Sequence, residues 1–202
     1  MGEIRIPIKK SSIEKKERII KLGFELMCLK GYHNVTCVDI AKYANVSTGI
    51  IYQYFKDKHD IFVEGVKDYS NKIMFPIIDI FENKCKTLSN LEEILNEIID
   101  NFIKTHVMKK EAHEELMAMS YLDNLVGEIF IEQEINMTNK IVNIFKTNNI
   151  KLDNLEEKVH ISVNLIDNLC HEIVYHKHEE IDYESMKNIV INIILSMLKL
   201  SK

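Results

Sequence analysis

The side chains with the most chemistry to offer lie between positions 36 and 58 of this 202-residue chain. Thr36, Ser47, Thr48, Tyr52, Gln53, Tyr54 and Lys58 set hydroxyl, amide, phenol and ammonium groups at short intervals, with Val38, Gly49 and Ile50 among them. That mixture suits a nucleic-acid duplex better than a reacting small molecule. Gln pairs with the open edge of adenine, and Ile or Val packs on a thymine methyl. Hydroxyls and lysines hold phosphate oxygens and set register without reading sequence. Enzyme chemistry finds little support, because the chain has no nucleophile elbow or phosphate-cradling glycine loop. The expectation is a non-enzyme without a cofactor.

The histidines and cysteines raise a metal alternative. His171-Glu172-Ile173-Val174-Tyr175-His176 looks like a zinc-protease helix, yet its histidines are five apart, about 140° around a helix and on different faces. His171 and His178 do share a face with Tyr175 between them, as do Glu172 and His176, so a metal there stays open as an alternative. Cys28, Cys37, Cys85 and Cys170 lie far apart with no CxxC pair. They read as small buried hydrophobes in a reducing compartment.

The elements that position these residues are helices. Two prolines and six glycines are too few for the tight turns of an all-β chain and suit helices with short connections. Apolar residues three or four apart predict helices over about 12–30, 37–43 and 48–55, then 58–84, 91–108, 111–120, 123–147, 154–178 and 183–200. Ser12 is the expected cap of the first, Gly31 its stop, and Thr36 the cap of the second. Asn45 fits a left-handed turn between the second and third. Two short helices across a tight turn, braced by a longer one, make a helix-turn-helix. Pro76 falls inside the fourth pattern, where it is expected to kink or end the helix.

Charge divides along the same line. Residues 1–60 hold 11 Lys/Arg and 7 Asp/Glu, a net of +4, and residues 61–202 hold 15 and 24, a net of −9. A basic head on an acidic body is the electrostatic form of a nucleic-acid reader, although the whole chain carries −5. The start has no apolar run of signal-peptide length, and the apolar stretch from Ile189 to Leu200 is short and interrupted by Asn192, Ser196 and Lys199. The expectation is a cytoplasmic protein with no membrane span.

Thr36, Ile40, Ala41 and the run Ala44-Asn45-Val46-Ser47-Thr48-Gly49-Ile50-Ile51-Tyr52-Gln53-Tyr54-Phe55-Lys56-Asp57-Lys58 resemble the DNA-binding signature of the TetR family of bacterial transcription regulators. The resemblance is specific over about residues 12–62 and rests beyond them on helix count and length. Asn45 stands where the family usually has Gly, and Tyr54 where His is common. The resemblance implies an all-α fold of about nine helices. An N-terminal three-helix DNA-binding domain (1–57) would be followed by a helical ligand-sensing and dimerisation domain (58–202). It places the helix from Thr48 to Tyr54 in the major groove, with Thr48, Gly49, Ile50 and Gln53 nearest the bases and Val38 beside them. Thr36, Ser47, Tyr52, Tyr54 and Lys58 would hold phosphates. The lysines Lys9, Lys10, Lys15 and Lys16 read singly as solvated charges, some of them near the DNA backbone. The resemblance also implies a homodimer through the last two helices on a palindromic operator, and a repressor released by a small-molecule effector. Phe75, Phe81, Phe102, His106, His113, Met117, Met119, Tyr121 and Phe130 are the pocket candidates. A body that senses a protein partner or a metal is the alternative.

Overall fold

The structure is a computed structural model that describes residues 6–105 and 110–198, the side chains of 73–75 and 105 excepted. Among the described residues it is all helix, with no strand. The helices are α1 (Lys10–Lys30), α2 (Cys37–Tyr43), α3 (Thr48–Tyr54), α4 (Lys58–Lys84), α5 (Leu91–Thr105), α6 (Lys110–Leu122), α7 (Asn124–Thr147), α8 (Leu155–Tyr175) and α9 (Tyr183–Leu198). Short 3₁₀ turns at Tyr32–Asn34 and Leu88–Asn90 precede α2 and α5.

The capping residues act much as their chemistry dictates. Gly31 ends α1 at a φ of 87°, and Asn45 turns the chain between α2 and α3 at a φ of 53°. Thr36 and Asp39 form a reciprocal capping box at the start of α2. The first helix differs from expectation at its entry. It begins two residues before Ser12, with Lys9 as its N-cap and no side-chain cap bond. The fourth helix does not end at Pro76, which lies inside α4. The predicted ends of the fifth helix at 108 and the ninth at 200 fall outside the described residues.

The chain forms two compact units, Met1–Ser70 with Met108–Phe130, and Asn71–Val107 with Ile131–Lys202. The sequence reading drew a single boundary after residue 57, whereas these units are discontinuous. The reason lies in α6, which packs on α1. Its Ala112, Leu116 and Met119, with Val126 and Ile129 of α7, join the core made by Ile19, Phe24, Met27, Ile40, Ile51, Phe55 and Phe62. Polar bonds reinforce this packing. Glu115 accepts from the Tyr32 amide at 2.5 Å, and His59 Nε2 lies 2.8 Å from Asp123 Oδ2. Within this unit α1 and α4 meet closely at Gly65, where an added Cβ would stand 2.5 and 2.7 Å from Phe24 Cγ and Cδ2.

The second unit buries the stripe of α5 read in the sequence, Leu91, Ile94, Leu95, Ile98, Ile99 and Phe102, against residues that include Leu155, Val159, Leu169, Cys170, Val190 and Ile194. Each fully buried Leu, Ile or Phe contributes roughly 1.5–3 kcal/mol, so this stripe alone is a substantial fraction of what holds the unit together. No described helix is long and apolar enough to cross a membrane.

Candidate nucleic-acid interface

The outer face of α3 and the start of α2 carry the residues picked out by chemistry. Ile51, Tyr54 and Phe55 turn inward and are buried, which fixes the rotation of the short helix. Fixed in that way, α3 leaves Gly49 and Tyr52 exposed and Thr48, Ile50 and Gln53 half-buried. Val38 on α2 is 60% exposed. Gly49 has room to spare, because a Cβ there would meet only Ser47 Oγ at 3.9 Å. Packing gives no reason for a glycine at this position.

Ser47 is exposed, and as the N-cap of α3 it makes no side-chain cap bond. Tyr52 stands 55% exposed. A hydrogen bond to Cys37 raises its phenol above the ordinary range, and burial raises the half-buried Cys37 thiol. Both groups are therefore neutral near pH 7, and neither repels a phosphate. Of the other cysteines, Cys28 and Cys170 are pushed up to about 12 by burial, as expected of packed, unreactive thiols.

Three of the expected phosphate contacts are placed otherwise. The Thr36 hydroxyl donates to Asp39 Oδ2 at 2.5 Å and accepts from the Asp39 amide, so its proton is committed to the cap of α2. Hydrogen bonds from Thr36 hold the Asp39 carboxyl below its usual range, leaving a negative charge next to that hydroxyl. Tyr54 is 6% exposed and belongs to the core. The Lys58 ammonium donates to the carbonyls of Tyr32 at 2.6 Å and Val35 at 2.8 Å and lies 4.4 Å from the Tyr32 ring centre. It ties the connection between α1 and α2 to the first turn of α4. The motif reading missed this role because a lysine after a recognition helix has the same sequence signature whether it faces phosphate or backbone carbonyls.

The pocket candidates divide between the two units. His113, Met117, Met119, Tyr121 and Phe130 belong to the first unit, and Phe81 and Phe102 to the core of the second. Tyr121 is 87% exposed and so lines no enclosed cavity. Phe75 and His106 lie outside the described side chains. A cleft of about 280 Å³ in the second unit is lined by Lys146, Asn149, Ile150, Lys151, Leu152, Leu155 and Glu156, none of them a predicted pocket residue. Because α8 ends at Tyr175, the helical face that His171 and His178 would share is not formed. Among the described residues, the grouping with metal-ligand atoms is Asp57, His59 and Asp60. Its carboxylates accept the amides of Lys56, His59 and Asp60 and so cap α4.

Comparison with known proteins agrees with this geometry. Residues 19–64 match the sequence model of the bacterial regulatory proteins, tetR family. The chain is 44% identical over 55 residues to the HTH-type transcriptional regulator HbdR of Aromatoleum sp. (strain CIB), a match spanning 27% of this chain and 24% of HbdR. It is 28% identical over 147 residues to IcaR, the HTH-type negative transcriptional regulator of the biofilm operon icaADBC in Staphylococcus aureus (strain Newman), covering 68% of this chain and 73% of IcaR. The fold superposes with a TM-score of 0.75 on a Mesorhizobium loti protein assigned to the TetR-family transcriptional regulators, at 16% identity over 93% of this chain and 98% of the other. An outward-facing α3 on a buried three-helix brace, matched over residues 19–64 by the tetR family's sequence pattern, gives this chain the DNA-binding head of that family within a fold that TetR-family transcriptional regulators share.

Proposed function

We propose that this regulator is a dimeric repressor that inserts α3 into the major groove of each half of a palindromic operator. The observation that carries the reading is the outer face of α3, where Gly49 is exposed with no packing reason to be glycine and Gln53, Ile50 and Thr48 stand around it. In this reading Gln53 and Ile50 read bases, Val38 packs beside them, and Ser47 and Tyr52 hold phosphates. Thr36, Tyr54 and Lys58 shape the head that carries them.

Dimerisation is supported by α9, which is apolar on two sides. Val190, Ile191, Ile194 and Leu198 face the core, while Ile189 is 59% and Ile193 42% exposed. The apolar stripe of α9 is thus wider than the core covers, and Ile161 on α8 adds to the uncovered surface. Repression is supported by the likeness to IcaR, a negative regulator. Release by a small molecule is supported by the family resemblance, with half-buried Met117 and Phe130 the remaining candidates of the first unit. The test is enrichment of duplexes from a random library by the purified protein, with sedimentation of the wild type and Ile193→Glu. A palindromic consensus bound by a dimer, lost with Ile193→Glu, is expected. A wild-type monomer at micromolar concentration, or a consensus without two-fold symmetry, overturns the proposal.

A further inference from the structure

The outward sides of α8 and α9 carry no charge along the middle of each helix. From 158 to 171 the exposed residues of α8 are Ile161, Asn164 and Asn168. From 185 to 198 those of α9 are Ser185, Asn188, Ile189, Asn192, Ile193 and Ser196. None is charged, in a chain whose residues are 28% charged. At 100° per residue each set lies on one face, within about 60° on α8 and about 140° on α9. The two helices pack on each other in the second unit, so both faces belong to one helix pair.

The fold gives no reason for the amides on these faces. Among the described residues the side chains of Asn164, Asn168, Asn188 and Asn192 make no hydrogen bond within the chain, whereas those of Asn34, Asn90, Asn96 and Asn148 donate to backbone carbonyls. Asparagine is also a poor helix former away from the ends, because its amide competes for backbone groups. Four such amides on faces shared with Ile161, Ile189 and Ile193 point to a partner outside the chain. Charge says which one. Residues 71–107 and 131–202, the second unit, hold 12 Lys/Arg and 17 Asp/Glu, a net of −5. A second copy brings the same charge and is repelled by the acidic parts of this unit, so an uncharged face is where two copies can meet. An amide both donates and accepts, so it is complementary to itself across a two-fold axis, as a carboxylate or an ammonium is not.

We propose that the occupant of this surface is a second copy of the chain, and that Asn164, Asn168, Asn188 and Asn192 select it. The proposal rests on the dimer reading above and adds to it how the partner is chosen. Between identical chains, amides meet amides. A chain with apolar side chains at these positions leaves the same amides buried and unmet, a loss larger than the net gain from pairing them. An asparagine in the seam of a coiled coil fixes register and partner in the same way, at some cost in stability.

The experiment needs no DNA. Tagged wild type is equilibrated with untagged wild type and, separately, with the untagged full-length variant carrying Asn164→Ala, Asn168→Ala, Asn188→Ala and Asn192→Ala. Native mass spectrometry counts the three dimers in each mixture. Alanine is the better helix former, circular dichroism checks that the variant folds, and Asn188→Ala with Asn192→Ala serves as a second variant if the four changes together disturb α8. Wild type with wild type is expected to give mixed dimers as about half of the total. Each variant is expected to pair with itself and to pair with wild type about 5- to 150-fold less than that reference, the loss that one unmet amide carries. Mixed dimers at the reference level, or a folded variant that no longer pairs with itself, overturn selection by the asparagines and leave the dimer reading standing. A wild type that stays monomeric at micromolar concentration overturns both.

Discussion

Gly49→Ala separates what the protein needs from what the operator needs. Position 49 is the second residue of α3, and the new methyl would meet only Ser47 Oγ at an ordinary contact distance of 3.9 Å. Replacing a helical glycine by alanine in open space stabilises by about 0.5–1 kcal/mol, because the unfolded chain loses freedom that the helix did not use. For a chain of this size that is a rise in Tm of about 1–4 °C. On DNA the same methyl stands where the proposed reading brings backbone closest to the bases. Losing one good base contact costs about 1–3 kcal/mol, which is about 5- to 150-fold in Kd per half-site. The assay pairs thermal melting with equilibrium titration of an enriched duplex in the same buffer. A more stable protein that binds more weakly is expected. A more stable protein that binds equally well would refute the close approach, and a less stable one would refute the packing account of α3.

The other predictions concern the frame around that helix. Lys58→Met keeps the aliphatic stem on Tyr32 but strips two carbonyls of their donor, so Tm should fall by about 4–8 °C for a loss near 2 kcal/mol. The salt dependence of DNA binding should stay unchanged; unchanged melting with a shallower salt slope would return Lys58 to the phosphates. Gly65→Ala pushes a Cβ into the Phe24 ring and should cost about 1–3 kcal/mol in denaturant unfolding, an outcome that a neutral result would contradict. Asp123→Asn tests the bond to His59. Burial pushes the Asp123 carboxyl up, but bonds from the Val126 amide and His59 outweigh it and hold it below its ordinary range. A lowered carboxyl adds stability above the unfolded value and loses it as pH falls through the folded one. The variant should therefore melt lower than wild type at pH 7, and the gap should narrow below about pH 4. A gap constant from pH 7 to pH 3 would show that the charge of Asp123 contributes nothing.

Helix count, the turn at Asn45, the cap at Thr36 and the core stripe of α5 were all legible, because each depends on neighbours within a few residues. Contacts distant in sequence were not legible in this way. The boundary after residue 57 follows composition, yet Leu116 and Met119 share a core with residues nearly a hundred positions earlier, and nothing in local spacing records that pairing. Tyr54 illustrates the same limit within the motif. One helical turn separates it from Ile50, and 100° per residue puts both near one side, but the core extends far enough round α3 to bury Tyr54 and leave Ile50 half out. Lys58 and Thr36 show why a polar side chain in a motif does not by itself reveal whether its partner lies outside the protein. Each instead satisfies the protein's own backbone: Lys58 takes two carbonyls that no helix pairs, and Thr36 takes an amide at a helix start.

That reassignment changes where DNA affinity must come from. With Lys58 tied to carbonyls and Thr36 to Asp39, the head keeps few phosphate donors on α2, α3 and the start of α4. A seven-residue recognition helix offers only a handful of base contacts at about 1–3 kcal/mol each. Selecting one site among the millions of competing sequences in a genome takes about 4–10 kcal/mol over non-specific binding, more than one such helix supplies with a margin for mismatched contacts. One source remains on the molecule: a second recognition helix brought by a partner chain, for which the outward apolar side of α9 is the suited surface. The acidic second unit bears on the same balance, since its negative charge weakens attachment to DNA anywhere except through the heads.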